Sequence, residues 1–140
     1  MARVQLFVYP MSSASSSILY HLSIFVHGNE YSYGGGGITT GRSSGNPARS
    51  VDLGTTSKTK DEIATFISDL QRKGHFLAEN YNLASQNCWC FASKICKFLT
   101  GKRLPEEYEN MKKSVKKDPV IGTIGSIGMV GKLFGNWSSN

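Results

Sequence analysis

The apolar residues of this chain change period once. Up to about Leu53 they recur at every second position, and beyond Thr59 they recur every third or fourth, so strands come first and helices follow. Arg3 to Tyr9 alternates, is rich in β-branched and aromatic residues, and reads as a strand ended by Pro10. Ile18 to His27 predicts a second strand. Tyr20, Leu22, Ile24 and Val26 take one of its faces, and Leu19, His21, Ser23, Phe25 and His27 the other. Gly28-Asn29 is expected to supply the positive φ angles of a tight hairpin returning through Glu30 to Tyr33, and Ser50 to Leu53 reads as one more short strand. Thr59-Lys60-Asp61-Glu62 is a capping box, followed by Ile63, Phe66, Ile67 and Leu70 on one helical face; a helix from Lys60 to about Arg72 follows, stopped by Gly74. A second helix is predicted from Cys88 to Leu99, with Gly101 as its stop and Pro105 opening a further short helical piece. Strands segregated from helices define an α+β fold with a small antiparallel sheet packed with helices.

The 140 residues suffice for one core and not for two. We read residues 1–112 as the folded body and 113–140 as a basic, Gly-rich tail. Hydrophobic residues at 39% and charged residues at 19% exclude a disordered chain. The formal charge of +6 owes much to Lys112, Lys113, Lys116 and Lys117, with no aromatics interleaved, so a nucleic-acid partner is not expected. Met1 to Pro10 is only briefly apolar before the serine loop Ser12 to Ser17 and lacks the form of a signal peptide; no stretch is long enough for a membrane span. Three cysteines, all between Cys88 and Cys96, are no disulfide framework and point to cytosol or nucleus. The four glycines Gly34 to Gly37 lack the helix that follows a phosphate-binding loop. They read instead as a bend or bulge where backbone passes close to another strand or a ligand.

Chemistry concentrates at Tyr81-Asn82-Leu83-Ala84-Ser85-Gln86-Asn87-Cys88-Trp89-Cys90-Phe91. A cysteine in the first turn of a helix meets unpaired N–H groups and the positive end of the helix dipole, which favour thiolate. Cys88 precedes the stripe Phe91, Ala92, Ile95, Phe98 and Leu99 and is expected at the mouth of a cleft against the sheet. Cys96 falls on the buried side of that helix, whereas Cys90 shares a face with Lys94 and Lys97 and is expected to be partly exposed. Cys-x-Cys-x5-Cys on one helix cannot converge on a tetrahedral ion, so neither metal nor cofactor is assigned. A nucleophilic cysteine needs a base, and His21, His27 and His75 are the choices. His75 reads as a solvated loop residue, and His27 lies beside a turn where it can point into water. By residue pattern alone, His21 on a strand face reads more readily as a satisfied core histidine than as a catalyst.

Several segments together resemble the permuted papain-fold peptidases of the PPPDE family. They are Val4 to Tyr9, His21-Leu22-Ser23-Ile24-Phe25-Val26-His27-Gly28-Asn29-Glu30, Tyr33 to Ile38, Tyr81-Asn82-Leu83, Asn87-Cys88 and Phe98-Leu99-Thr100-Gly101-Lys102. The resemblance implies a circularly permuted papain-like fold in which the histidine precedes the cysteine, with Cys88 as nucleophile and His21 as base. It also implies that the Cys88 N–H and one side-chain amide, Gln86 or Asn82, hold the oxyanion. The substrates implied are conjugates of a ubiquitin-like protein, SUMO or ubiquitin, on lysine. Gly34, Gly35, Gly36 and Gly37 would suit a channel for the diglycine tail. Trp89 and Cys90 stand where relatives carry a small polar pair, so Trp89 joins the groove candidates, and a homodimer that builds the groove is compatible with the sequence.

Two other readings compete. NlpC/P60-like thiol acyltransferases acting on lipid also place a histidine before an Asn-Cys helix, and the stretch Ile121 to Phe134 carries apolar residues beside lysines. Its glycines weaken a helix, so a flexible or core-covering tail is preferred to membrane contact. A binder of ubiquitin-like proteins without turnover is the third reading, against which the intact Cys88 and His21 argue.

Overall fold

The computed structural model describes residues 1–10, 20–43, 46–82 and 87–109. The serine loop, Gln86 and the tail 113–140 lie outside them. Five strands, β1 (Ala2–Pro10), β2 (Tyr20–Val26), β3 (Asn29–Gly34), β4 (Gly37–Gly41) and β5 (Arg49–Thr56), precede α1 (Lys60–Arg72), a 3-10 turn (Ala78–Asn80) and α2 (Cys88–Thr100). The sheet runs in the order β4-β3-β2-β1-β5, and its strand pairs are all antiparallel. The fold is α+β, as the change of period predicts.

Turn chemistry sets the register. Positive φ falls on His27 (54°) and Gly28 (75°), not on Gly28-Asn29; Val26 pairs with Asn29, which leaves a two-residue turn one position earlier than expected. The four glycines make a second two-residue turn, with Gly34 paired to Gly37, and thereby start β4. That strand escapes a reading by hydrophobicity because Gly-Ile-Thr-Thr-Gly carries a single large apolar residue at the sheet edge. β5 is longer than Ser50 to Leu53, and Leu53 is the extra residue of a bulge against Val4 and Gln5.

One face of the sheet presents Val4, Leu6, Val8, Leu22, Ile24, Val26, Tyr31 and Tyr33, which cluster with Ile63, Ile67 and Leu70 of α1 and Phe91, Ala92, Ile95, Cys96 and Leu99 of α2. α1 begins at the predicted capping box, with both reciprocal Thr59–Glu62 bonds formed. Phe98, expected in the buried stripe, is only partly buried and stacks on Phe66 with ring centroids 4.0 Å apart. Phe7, Tyr9, His21 and Ser23 alternate with the core positions and are also buried, although no described helix packs on their face. The second face is thus covered around Tyr9 and His21, while Arg3 on it is exposed and Gln5 and Phe25 are half-buried.

Candidate active site

β2 and β3 pair only at Val26–Asn29, Phe25–Glu30 and Ile24–Tyr31. Beyond that point Tyr20 to Ser23 keep only β1 as a partner, and Ser32 to Gly34 keep only β4. The strands fork, and backbone groups on the inner edge of β2 lose a strand partner, which a buried peptide cannot afford. The first two residues of α2 fill the fork. The Trp89 indole N–H donates to the Tyr20 carbonyl at 2.6 Å, and the Leu22 N–H is turned to the Cys88 sulfur. In an extended strand the carbonyl of one residue and the N–H of the residue two further on share an edge, so the helix stands in for the missing strand.

Asn87 anchors this placement. It is buried, and its side-chain oxygen caps α2 by accepting from the N–H groups of Trp89 and Cys90, both at 3.0 Å. Cys88 thus opens the helix as expected, but its surroundings differ from the sequence reading. The residue is fully buried, and desolvation pushes its thiol up to about 12, against the lowering by the N–H groups of Leu22, Cys88 and Trp89. Burial outweighs the helix terminus, and the expected thiolate at the mouth of a cleft is corrected to a sealed neutral thiol.

His21 precedes Leu22, whose N–H faces the sulfur. Its side chain belongs to the sheet face of Tyr9 and Ser23, opposite to that of Leu22. His21 is 2% exposed, and burial lowers its pKa to about 4, so the imidazole is neutral near pH 7. His27 is not free in solvent as expected: its Nε2 lies 2.7 Å from the Lys58 carbonyl, because the shifted turn aims the ring at the loop before α1. His75 is exposed.

The remaining candidates separate. Trp89 is fully buried and pinned to Tyr20, so in this structure it is part of the frame and no groove lining. Asn82 is half-buried shortly after the 3-10 turn. Gly34 and Gly37 are buried, Gly35 is half-buried and Gly36 is exposed. Cys90 is partly exposed and Cys96 buried, both as predicted.

Sequence reasoning passed over Tyr81. It is buried with its ring edge-on to Tyr33 at 5.1 Å, and its hydroxyl lies near Cys88. Desolvation first, and the neighbouring Cys88 next, raise its pKa well above the ordinary tyrosine value. A tyrosine seven residues before a helical cysteine is no signal in itself.

The PPPDE putative peptidase domain matches residues 2–125, and the chain belongs to that family of peptidases. It is similar to desumoylating isopeptidase 1 of Homo sapiens, 31% identical over 132 residues that cover 83% of this chain and 78% of the relative. The same protein of Xenopus laevis is 32% identical over 133 residues, covering 84% and 78%. A desumoylating isopeptidase 1 homolog of Caenorhabditis elegans is 33% identical over 112 residues, covering 70% and 34%. Among the described residues no helix is long and apolar enough to cross a membrane.

Proposed function

We propose that this protein is a permuted papain-like cysteine isopeptidase that removes a ubiquitin-like modifier from lysine, with Cys88 as nucleophile and His21 as base. The names of its relatives favour SUMO over ubiquitin as the modifier. The observation that carries the reading is the fork in the sheet, which brings the first residue of α2 against the backbone of the residue following His21.

Both groups rest uncharged, which suits proton transfer during attack. As the Cys88 sulfur bonds to the isopeptide carbonyl carbon, neutral His21 accepts the thiol proton, and the carbonyl oxygen becomes an oxyanion. The Cys88 N–H and one of Asn82, Gln86 or the Tyr81 hydroxyl stabilise it. Collapse breaks the carbon–nitrogen bond while the His21 imidazolium protonates the departing lysine amine, which leaves a thioester. Water, deprotonated by His21, then attacks the thioester, the His21 imidazolium returns that proton to the departing Cys88 sulfur, and the carboxylic acid released ionises to solvent. The turn at Gly35-Gly36 suits the passage of a diglycine tail, since it offers no side chain to block it.

A sealed sulfur must be uncovered before any carbonyl reaches it, and this same sealing is what favours the competing reading of a binder without turnover. A SUMO vinyl-sulfone probe separates the two. Labelling of the wild type and none of Cys88→Ala is expected; an unlabelled wild type, or equal labelling of the variant, overturns the proposal.

A further inference from the structure

The second face of the sheet holds a polar chain that the reaction above does not use. Tyr9 donates to Glu30 Oε2 at 2.6 Å, Ser23 donates to that same oxygen, and the Ser43 side chain lies beside the Tyr9 hydroxyl. The four residues come from three strands, β1, β2 and β3, and from the segment after β4. Ser23 is fully buried and Tyr9 nearly so. Hydroxyls paired to a carboxylate on a covered face are strong, charge-assisted bonds, and they fix the Tyr9 ring in one orientation.

That ring stands directly across from His21. Tyr9 and His21 are register partners between β1 and β2, and their ring centroids are 6.0 Å apart with planes tilted by 40°. Opposed residues of an antiparallel pair are the closest side-chain neighbours in a sheet, so a tethered Tyr9 leaves the imidazole a wall that cannot turn. A base that must take a proton from one sulfur atom needs its ring held in one orientation by a third group.

We propose that Tyr9, tethered by Glu30 with Ser23 and Ser43, is a positioning residue for His21. It touches neither substrate nor the sulfur, and acts through the imidazole alone. The inference rests on the assignment of His21 as base. Glu30 thereby has a second function besides pairing with Phe25 in the β2–β3 hairpin, because its carboxylate collects the bonds that hold Tyr9 still.

Three variants test this: Tyr9→Phe, which keeps the ring and cuts its tether; Glu30→Ala, which removes the anchor; and Glu30→Gln, which restores an acceptor without charge. Turnover is read on SUMO carrying a C-terminal aminomethylcoumarin amide, and the ring state of His21 on its 15N resonances, assigned against His21→Asn. Tyr9→Phe and Glu30→Ala are expected to lower kcat by roughly 10-fold at constant KM, the size of a lost orienting contact. Both should also change the 15N pattern from a single tautomer to an averaged one. Glu30→Gln should recover most of both. Wild-type kcat and 15N pattern in folded Tyr9→Phe and Glu30→Ala overturn the inference. So does a loss of melting temperature with the 15N pattern unchanged, which would make the network merely structural. Cys88→Ala run in parallel keeps the two claims apart: if it retains turnover, the peptidase reading fails whatever the His21 resonances do.

Discussion

Acid should destabilise this protein through His21 in a window fixed by its burial. The imidazole has a pKa of about 4 in the folded chain and the ordinary 6.5 once unfolded. The unfolded chain therefore binds the proton first as pH falls. Stability is fully present above about pH 6.5, declines as pH drops toward about 4, and levels off below that as far as this residue is concerned. Linkage of these two values gives a loss of about 2 kcal/mol between about pH 7.5 and pH 5. With a urea slope of about 1.5 kcal/mol/M for a domain of this size, the unfolding midpoint should fall by roughly 1.3 M.

The assay is urea unfolding followed by circular dichroism at the two pH values, on wild type and on His21→Asn. The variant removes the one buried imidazole and keeps His27 and His75, so subtraction isolates the residue of interest. Wild type should lose the midpoint given above, and the variant should lose a few tenths of a molar at most. A wild-type midpoint that does not move, or a variant that drops by as much, would refute the account of His21 as a neutral, water-excluded imidazole.

Two further outcomes follow from the fork and the glycine turn. Trp89→Phe keeps the buried ring but strands the Tyr20 carbonyl, now bonded by the indole N–H. It should cost about 1–3 kcal/mol in chemical denaturation, with slower SUMO vinyl-sulfone labelling of Cys88; a neutral substitution would show that α2 is not pinned through this bond. Gly37 has φ of 94°, and an added Cβ would lie 3.6 Å from the Ala78 nitrogen, whereas a Cβ on Gly36 meets nothing within 4 Å. Gly37→Ala should thus destabilise by about 1–2 kcal/mol, and Gly36→Val should melt as wild type yet cleave the SUMO coumarin substrate more slowly. Normal cleavage by Gly36→Val would remove the glycine turn from the substrate path.

The parts of this fold legible in the sequence are those set by local rules. Thr59 and Glu62 announce the start of α1, Gly101 takes the left-handed φ of 74° that ends α2, and the alternation from Tyr20 to Val26 marks β2. What the sequence hides depends on contacts between distant segments. β4 has too little apolar surface to signal itself, and its existence follows from the pairing of Gly34 with Gly37. The position of the first hairpin turn is settled by a histidine that tolerates φ of 54°, which the adjacent Gly-Asn obscures. The residue pattern does not join Cys88 to His21, and the helix terminus by itself points to a lowered Cys88 pKa where burial raises it. A helix terminus is a local property visible in the sequence, while desolvation is set by everything that packs over it.

The fork explains why burial and reactivity are in tension at this site. A strand edge that loses its neighbour must be satisfied, and here α2 satisfies it with a tryptophan N–H and a cysteine sulfur in succession. The same contacts that place Cys88 also remove it from water, and removal from water holds its thiol near 12 and His21 near 4. Neither value suits an ion pair at neutral pH. In the mechanism proposed above, a substrate that opens the site and brings its own carbonyl to the sulfur would change the balance, because proton transfer to His21 would accompany bond formation and no isolated thiolate would have to persist in an apolar surrounding. On this reading the resting protein is protected from adventitious alkylation by the packing that makes it stable. Its selectivity then lies in which partner can hold the fork open.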